Sequence, residues 1–235
     1  MSSKDPHFLI VIFHWIHQHK WALLLFGIVA LMLVSPVAEI YNERDDVITP
    51  LAAMLLLTVT FGTTERWYVI WPLAFLILLW FSVSSFTEGS GLFAGPSKVA
   101  PGLFMFLLVA IFILLVRWLI RASYIGSEVL CAAICGYLMV GIIWTGFYTF
   151  VSREDPKALS LAPDVWIHQG KDIPISDLLY FSFTTLTTTG FGDITPTNPL
   201  IRMATVLEAI VGTFYNTIII ARFVGLYGVK RERSD

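Results

Sequence analysis

The sequence predicts an all-α membrane protein with six crossings and a re-entrant helix dipping between the fifth and the sixth. Three observations carry that reading. The 235 residues are 57% hydrophobic and only 14% charged, with 18 Phe and 8 Trp, too apolar for the surface of a water-soluble domain. Apolar runs recur at about the ~20-residue length needed to cross a hydrocarbon core. One apolar, aromatic stretch is too short to cross, and it leads directly into a polar, glycine-containing strip.

In chain order, the candidate crossings are 21–41, 47–64, 67–86, 99–117, 126–150 and 199–226. The second is the shortest and carries Thr58, Thr60, Thr63 and Thr64. Residues 1–20 include "FLIVIF", too short to cross and without a small-residue cleavage site, which predicts an interfacial amphipathic lead-in on the cytoplasmic side. Residues 21–121 are expected to form a peripheral four-helix bundle, 122–228 the functional unit, and 229–235 a short cytoplasmic tail. Between the fifth and sixth runs, 151–174 is a polar loop with prolines.

Charge sets the orientation. With six crossings both termini share a side, and that side holds Lys4, Lys20, Arg66, Arg117, Arg121, Lys230, Arg231 and Arg233. The other side holds Arg44, Lys98, Arg153, Lys157, Lys171 and Arg202, three of them in one long loop where the positive-inside rule counts for less. Both termini are therefore expected in the cytoplasm of a multi-pass protein of the plasma or inner membrane. The outer segments hold most of the acids, including Glu39, Glu43, Asp45, Asp46, Glu154, Asp155 and Asp193, which would concentrate cations. The net charge is −2 and the longest basic run is "KRER", so nucleic acid is not an expected partner.

The short stretch "ISDLLYFSFTTLT", 175–187, has Ser176 and Asp177 placed as helix starters. A half-crossing helix is the expectation, its electronegative C-terminal end directed into the membrane and favourable to a waiting cation. Backbone beyond it is tolerable at membrane depth only where it lines a water-filled path or is buried in protein. Five threonines fill "FTTLTTT", and "GFGD" follows. Gly190 and Gly192 accept the positive φ that lets successive carbonyls face one axis.

Those residues carry a resemblance. "TTGFGD", 188–193, resembles the T-V-G-Y-G-D signature of potassium-channel pores, and "LEAIVGTFYNTIIIARFVGLYG" looks like the inner helix of prokaryotic channels of that superfamily. The resemblance implies that Thr188, Thr189, Gly190 and Phe191 donate carbonyls to the permeant ion, with the Thr188 hydroxyl as the innermost ring, Gly192 at the outer mouth and Asp193 behind it. It places a gating hinge at Gly212. It also implies four chains around one pore, most simply a homotetramer in the bilayer. Two residues depart from the signature: Thr189 stands for Val and Phe191 for Tyr. Phe191 lacks the hydroxyl that ties the strip outward, so Thr189 is expected to supply a brace through a partner on the half-helix.

Several further residues follow from helical spacing. Thr213, Asn216, Ile220 and Val224 recur at steps of three and four, and the resemblance turns that face toward a pore cavity. Asn216 there either holds a hydrated ion or makes an interhelical hydrogen bond. Glu208 is an ionisable group at membrane depth, turned about 100° from that face toward the half-helix, where Thr184 or Thr187 is the expected partner; with Thr187 and Asp193 it is read as filter support. Arg222 should snorkel inward, with Glu128 a possible partner. Trp21, Trp67 and Trp118 read as interfacial anchors. Cys131 and Cys135 read as small apolar residues. His14, His17 and His19 have spacings open to a metal or to pH sensing, with a polar interfacial face the favoured account.

The expected function is passive, potassium-selective conduction, with K+ as permeant ion, no cofactor, no small-molecule substrate and no catalytic residues. The alternatives are a weakly selective K+/Na+ cation channel and a non-conducting regulatory membrane subunit.

Overall fold

The computed structural model describes residues 20–40, 71–79, 99–124, 126–161 and 173–232. Five named helices and a two-stranded ribbon follow in order: α1 (Lys20–Ile40), α2 (Val99–Arg121), α3 (Ser127–Glu154), β1 (Leu159–Leu161), α4 (Ile175–Leu186), β2 (Ile194–Pro196) and α5 (Pro199–Glu232). Residues 71–79 are also helical. The architecture of the described residues is all-α apart from the ribbon. Among the described residues, three helices are long and apolar enough to cross a membrane: Gly102–Arg121, Ser127–Glu154 and Pro199–Leu226. A shorter apolar helix runs from Trp21 to Val37. The expected crossing at 47–64 and the residues His14, His17, His19 and Trp67 lie outside the described residues, as does most of 67–86.

Two apolar clusters hold these elements. The first joins α1, α2, the N-terminal half of α3 and residues 71–79, through Leu24, Ile77, Leu107, Ile111, Leu115 and Ala132 among others. Trp21 belongs to this cluster at 1% exposure and lies tilted on Trp118, ring centroids 4.6 Å apart. The sequence expectation of an interfacial anchor at Trp21 is thus corrected: α1 turns the ring inward against α2. Cys135 is buried beside it, its thiol directed at the Trp21 carbonyl, and both cysteines are free thiols.

The second cluster lies at the other end of α3, where Tyr148, Leu178, Phe181, Ile194 and Ile201 draw together α3, α4, β2 and α5. The ribbon closes it. β1 and β2 pair antiparallel with Ser160 opposite Thr195, and the Thr197 amide donates to the Ala158 carbonyl at 3.0 Å. The chain leaving α3 is thereby tied to the chain leaving the glycine strip.

Small residues set the helix spacing around α4. At Gly141 of α3 an added Cβ would lie 2.6 Å from the Phe183 ring, so glycine is what lets α4 approach α3 this closely. α5 is anchored along a single stripe. Ile201, Ala204, Glu208 and Gly212 are buried, with Tyr215, Ile219 and Phe223 half-buried further along, while most of the other residues described up to 226 are exposed. Over its most apolar stretch only 6% of α5 is buried, against 50% for that of α3.

Candidate functional site

α4 has 12 residues, about 18 Å of helix at 1.5 Å per residue, which is roughly half of a bilayer core. It starts one residue before the expected helix starters: Pro174 takes the N-cap position, with no side-chain cap, and Asp177 falls in the first turn. Pro suits the start because its missing N–H is one that no helix could satisfy.

The C-terminal end of α4 decides the shape of the strip. The Thr189 amide donates back to the Thr184 carbonyl at 2.8 Å and the Thr188 amide to the Thr185 carbonyl at 2.9 Å. These are the two bonds of a Schellman cap, whose reversing residue adopts a left-handed conformation and is usually glycine. Here that residue is Thr188, at φ +58°. A β-branched residue resists this conformation, so Thr188 is strained. Gly190 (φ +54°) and Gly192 (φ +81°) follow, so positive φ recurs at every second residue from 188 to 192. Thr187, Thr188, Thr189, Gly190, Phe191 and Gly192 are all exposed in the single chain.

Side chains behind the strip are bonded to α4. Thr189 Oγ1 lies 2.9 Å from Thr187 Oγ1, and Thr187 Oγ1 also donates to the Phe183 carbonyl at 2.7 Å. The partner of Thr189 is therefore the C-cap residue of α4. Asp193 accepts the Tyr180 hydroxyl at 2.7 Å and the Ile194 amide at 3.0 Å. The Tyr180 ring stacks on Phe191 with centroids 6.0 Å apart and planes 8° from parallel. Sequence reasoning missed Tyr180. A Tyr hydroxyl on a half-length apolar helix, needing a partner, was the available signal.

Glu208 lies on the buried stripe of α5 and faces α4, but not the threonines expected. Its Oε1 is 2.5 Å from the Ser182 hydroxyl and its Oε2 accepts the Tyr148 hydroxyl at 2.6 Å. Ser182 precedes Thr184 and Thr187 in α4 and Tyr148 lies toward the end of α3, level with Glu208 one turn along α5 from Ala204 and two from Ile201. Thr184 instead bonds the Phe181 carbonyl of its own helix.

Gly212 is a contact point. α5 runs as one helix through it, and an added Cβ would lie 2.6 Å from the Leu186 carbonyl at the end of α4. That carbonyl also accepts the Tyr137 hydroxyl of α3 at 3.3 Å, while the Tyr215 hydroxyl of α5 donates to the Ala133 carbonyl at 2.8 Å. Three helices thus meet at the foot of the strip. Thr213, Asn216, Ile220 and Val224 are exposed on the open side of α5. Arg222 donates to the Ile120 and Ala122 carbonyls, both at 2.7 Å, where α2 ends. Glu128 is not its partner, because α5 brings the guanidinium to the α2–α3 corner and the free carbonyls there are nearer.

A membrane protein with a half-length helix, a left-handed strip and a long, mostly uncovered helix has the parts of a pore. A family model described as "Ion channel" matches residues 129–227. That segment runs from α3 through α4 and the strip into α5, and over it the chain is similar to ion channels. No match is found among curated proteins or among solved structures.

Proposed function

We propose that the chain is a potassium-selective channel, conducting K+ passively as a homotetramer of six-crossing subunits with both termini cytoplasmic. The observation that carries this reading is the strip itself: positive φ at residues 188, 190 and 192, in exposed backbone directly after a half-length helix. Backbone that reverses hand at alternate residues can turn successive carbonyls to one side, and rings of such oxygens substitute for the hydration shell of K+. In this reading Thr188, Thr189, Gly190 and Phe191 supply the rings and Gly192 the mouth. Thr187, Asp193 and Glu208 hold the strip from behind.

The uncovered surface of α5 supports the assembly. Phe214, Ile218, Ile220 and Val224 are each more than half exposed in one chain. Four copies would cover part of this surface and turn the remainder, with Thr213 and Asn216, toward a shared cavity.

Purified protein in liposomes tests the proposal. Flux should follow a K+ gradient and be far smaller for Na+. Equal K+ and Na+ flux would instead establish a weakly selective cation channel, and no flux of either a non-conducting subunit.

A further inference from the structure

The group at 0% exposure that α3, α4 and α5 share is the Glu208 carboxyl. It lies within a row of close oxygen contacts. The Gly141 carbonyl lies 2.8 Å from Ser182 Oγ, Ser182 Oγ lies 2.5 Å from Glu208 Oε1, and Glu208 Oε2 lies 2.6 Å from the Tyr148 hydroxyl. Each contact needs one proton between its two oxygens.

Protons can be counted from the chemistry of the groups. A carbonyl supplies none, a serine hydroxyl one and a tyrosine hydroxyl one. An ionised carboxylate supplies none, which leaves two protons for three contacts. If Ser182 then gives its proton to Glu208, its lone pairs face the Gly141 carbonyl across 2.8 Å; if it gives it to Gly141, they face a carboxylate oxygen across 2.5 Å. The Thr145 hydroxyl also donates to the Gly141 carbonyl at 2.8 Å, but it reaches neither of the other contacts. One proton on Glu208 Oε1 completes the row: Glu208 donates to Ser182, Ser182 to Gly141, and Tyr148 to Glu208.

No cationic partner favours the ionised form. Among the described residues, no lysine or arginine is within bonding distance of Glu208. Of the titratable groups on the packed elements, Tyr148 of α3 is its donor, Tyr180 of α4 is bonded to Asp193, and Arg222 on α5 is bonded to the α2–α3 corner. Arg202, also on α5, is exposed. An unpaired charge sealed inside one chain at membrane depth is strongly disfavoured.

We propose that Glu208 carries a proton on Oε1 and acts as a neutral positioning residue, seating α4 between α3 and α5 and so fixing the height of the strip that α4 holds. Its consequence for ion flow rests on the channel reading above; its protonation does not. Glutamine reproduces the neutral acid, donating through its amide nitrogen to Ser182 and accepting from Tyr148 through its oxygen. Alanine leaves both hydroxyls without their partner.

Infrared difference spectra of the full-length protein in bilayers at neutral pH, wild type minus Glu208→Gln, test the proton. The expected result is the carbonyl stretch of a protonated carboxylic acid, shifting in D2O and absent from the variant. A difference confined to carboxylate stretches overturns the proposal. Should Glu208→Gln fail to assemble, Ser182→Ala removes the acceptor of that proton and must move the same band; an unmoved band overturns it equally. Ion flux tests the positioning: Glu208→Gln should stay within about twofold of wild type, while Glu208→Ala should lose roughly tenfold or more. A glutamine variant as damaged as alanine refutes the neutral strut. Wild-type protein that conducts nothing counts against the channel reading, and the infrared band still decides the proton.

Discussion

Strain and its relief at single residues govern the strip. Thr188 holds a left-handed conformation because two capping bonds fix it there, and Gly190 holds one without a Cβ to resist. Around Gly190 nothing lies within 4 Å of where a Cβ would stand, so Gly190→Ala meets no clash in the chain, only backbone strain of about 1–2 kcal/mol per subunit. The expected outcome is an assembled protein on native gels that has lost conduction. Full conduction would mean that this backbone conformation is not used for ion passage. Tyr180→Phe keeps the stack on Phe191 but frees one oxygen of Asp193; currents should decay faster during sustained opening with selectivity retained, and an unchanged decay would deny the bond a role. Composition made Gly190 and Gly192 legible, since glycine in a strip at membrane depth calls for positive φ. Thr188 was not legible as left-handed, because its own propensity argues the other way and a cap formed across five residues overrides it. Helical spacing gave the direction of Glu208 but not its partners: Ser182 and Tyr148 depend on how far α4 slides along α3.

The elements pack through close approach more than through bulk. Glycine at 212 was expected as a hinge in α5, and helix propensity alone makes Gly212→Ala stabilising by up to about 1 kcal/mol. Packing reverses the sign. The new methyl would press on the backbone oxygen of Leu186 at 2.6 Å, which no rotamer change relieves, and overpacking of this kind costs about 1–3 kcal/mol. Gly212→Ala should therefore lower the thermal stability of the assembled protein in detergent and reduce flux; a raised melting temperature would mean that helix propensity outweighs the contact with Leu186. Spans of α2, α3 and α5 could be read from sequence because apolar length is a one-dimensional property. Contacts such as Gly141 against Phe183 could not, since a buried glycine in an apolar helix looks like any other small residue until its neighbour is placed.

At the scale of the whole molecule, the question is what moves and what conducts. α2 carries its arginines, Arg117 and Arg121, only near its end, whereas a steep voltage response needs several charges crossing a field in which each is worth ~2.3 kcal/mol per 100 mV. Open probability should vary little between strongly negative and strongly positive potentials, and a steep rise with several gating charges would contradict this. The open surface of α5 was legible only in part: its spacing gave a polar face, but that so little of the span is covered by its own chain needed coordinates. The central claim is a potassium-selective pore built around residues 188–192, and the most direct measurement of it is the reversal potential of the reconstituted wild-type protein with K+ on one side of a bilayer and Na+ on the other. The account predicts a reversal potential displaced strongly toward the K+ equilibrium value. A reversal potential at zero under this gradient would contradict it.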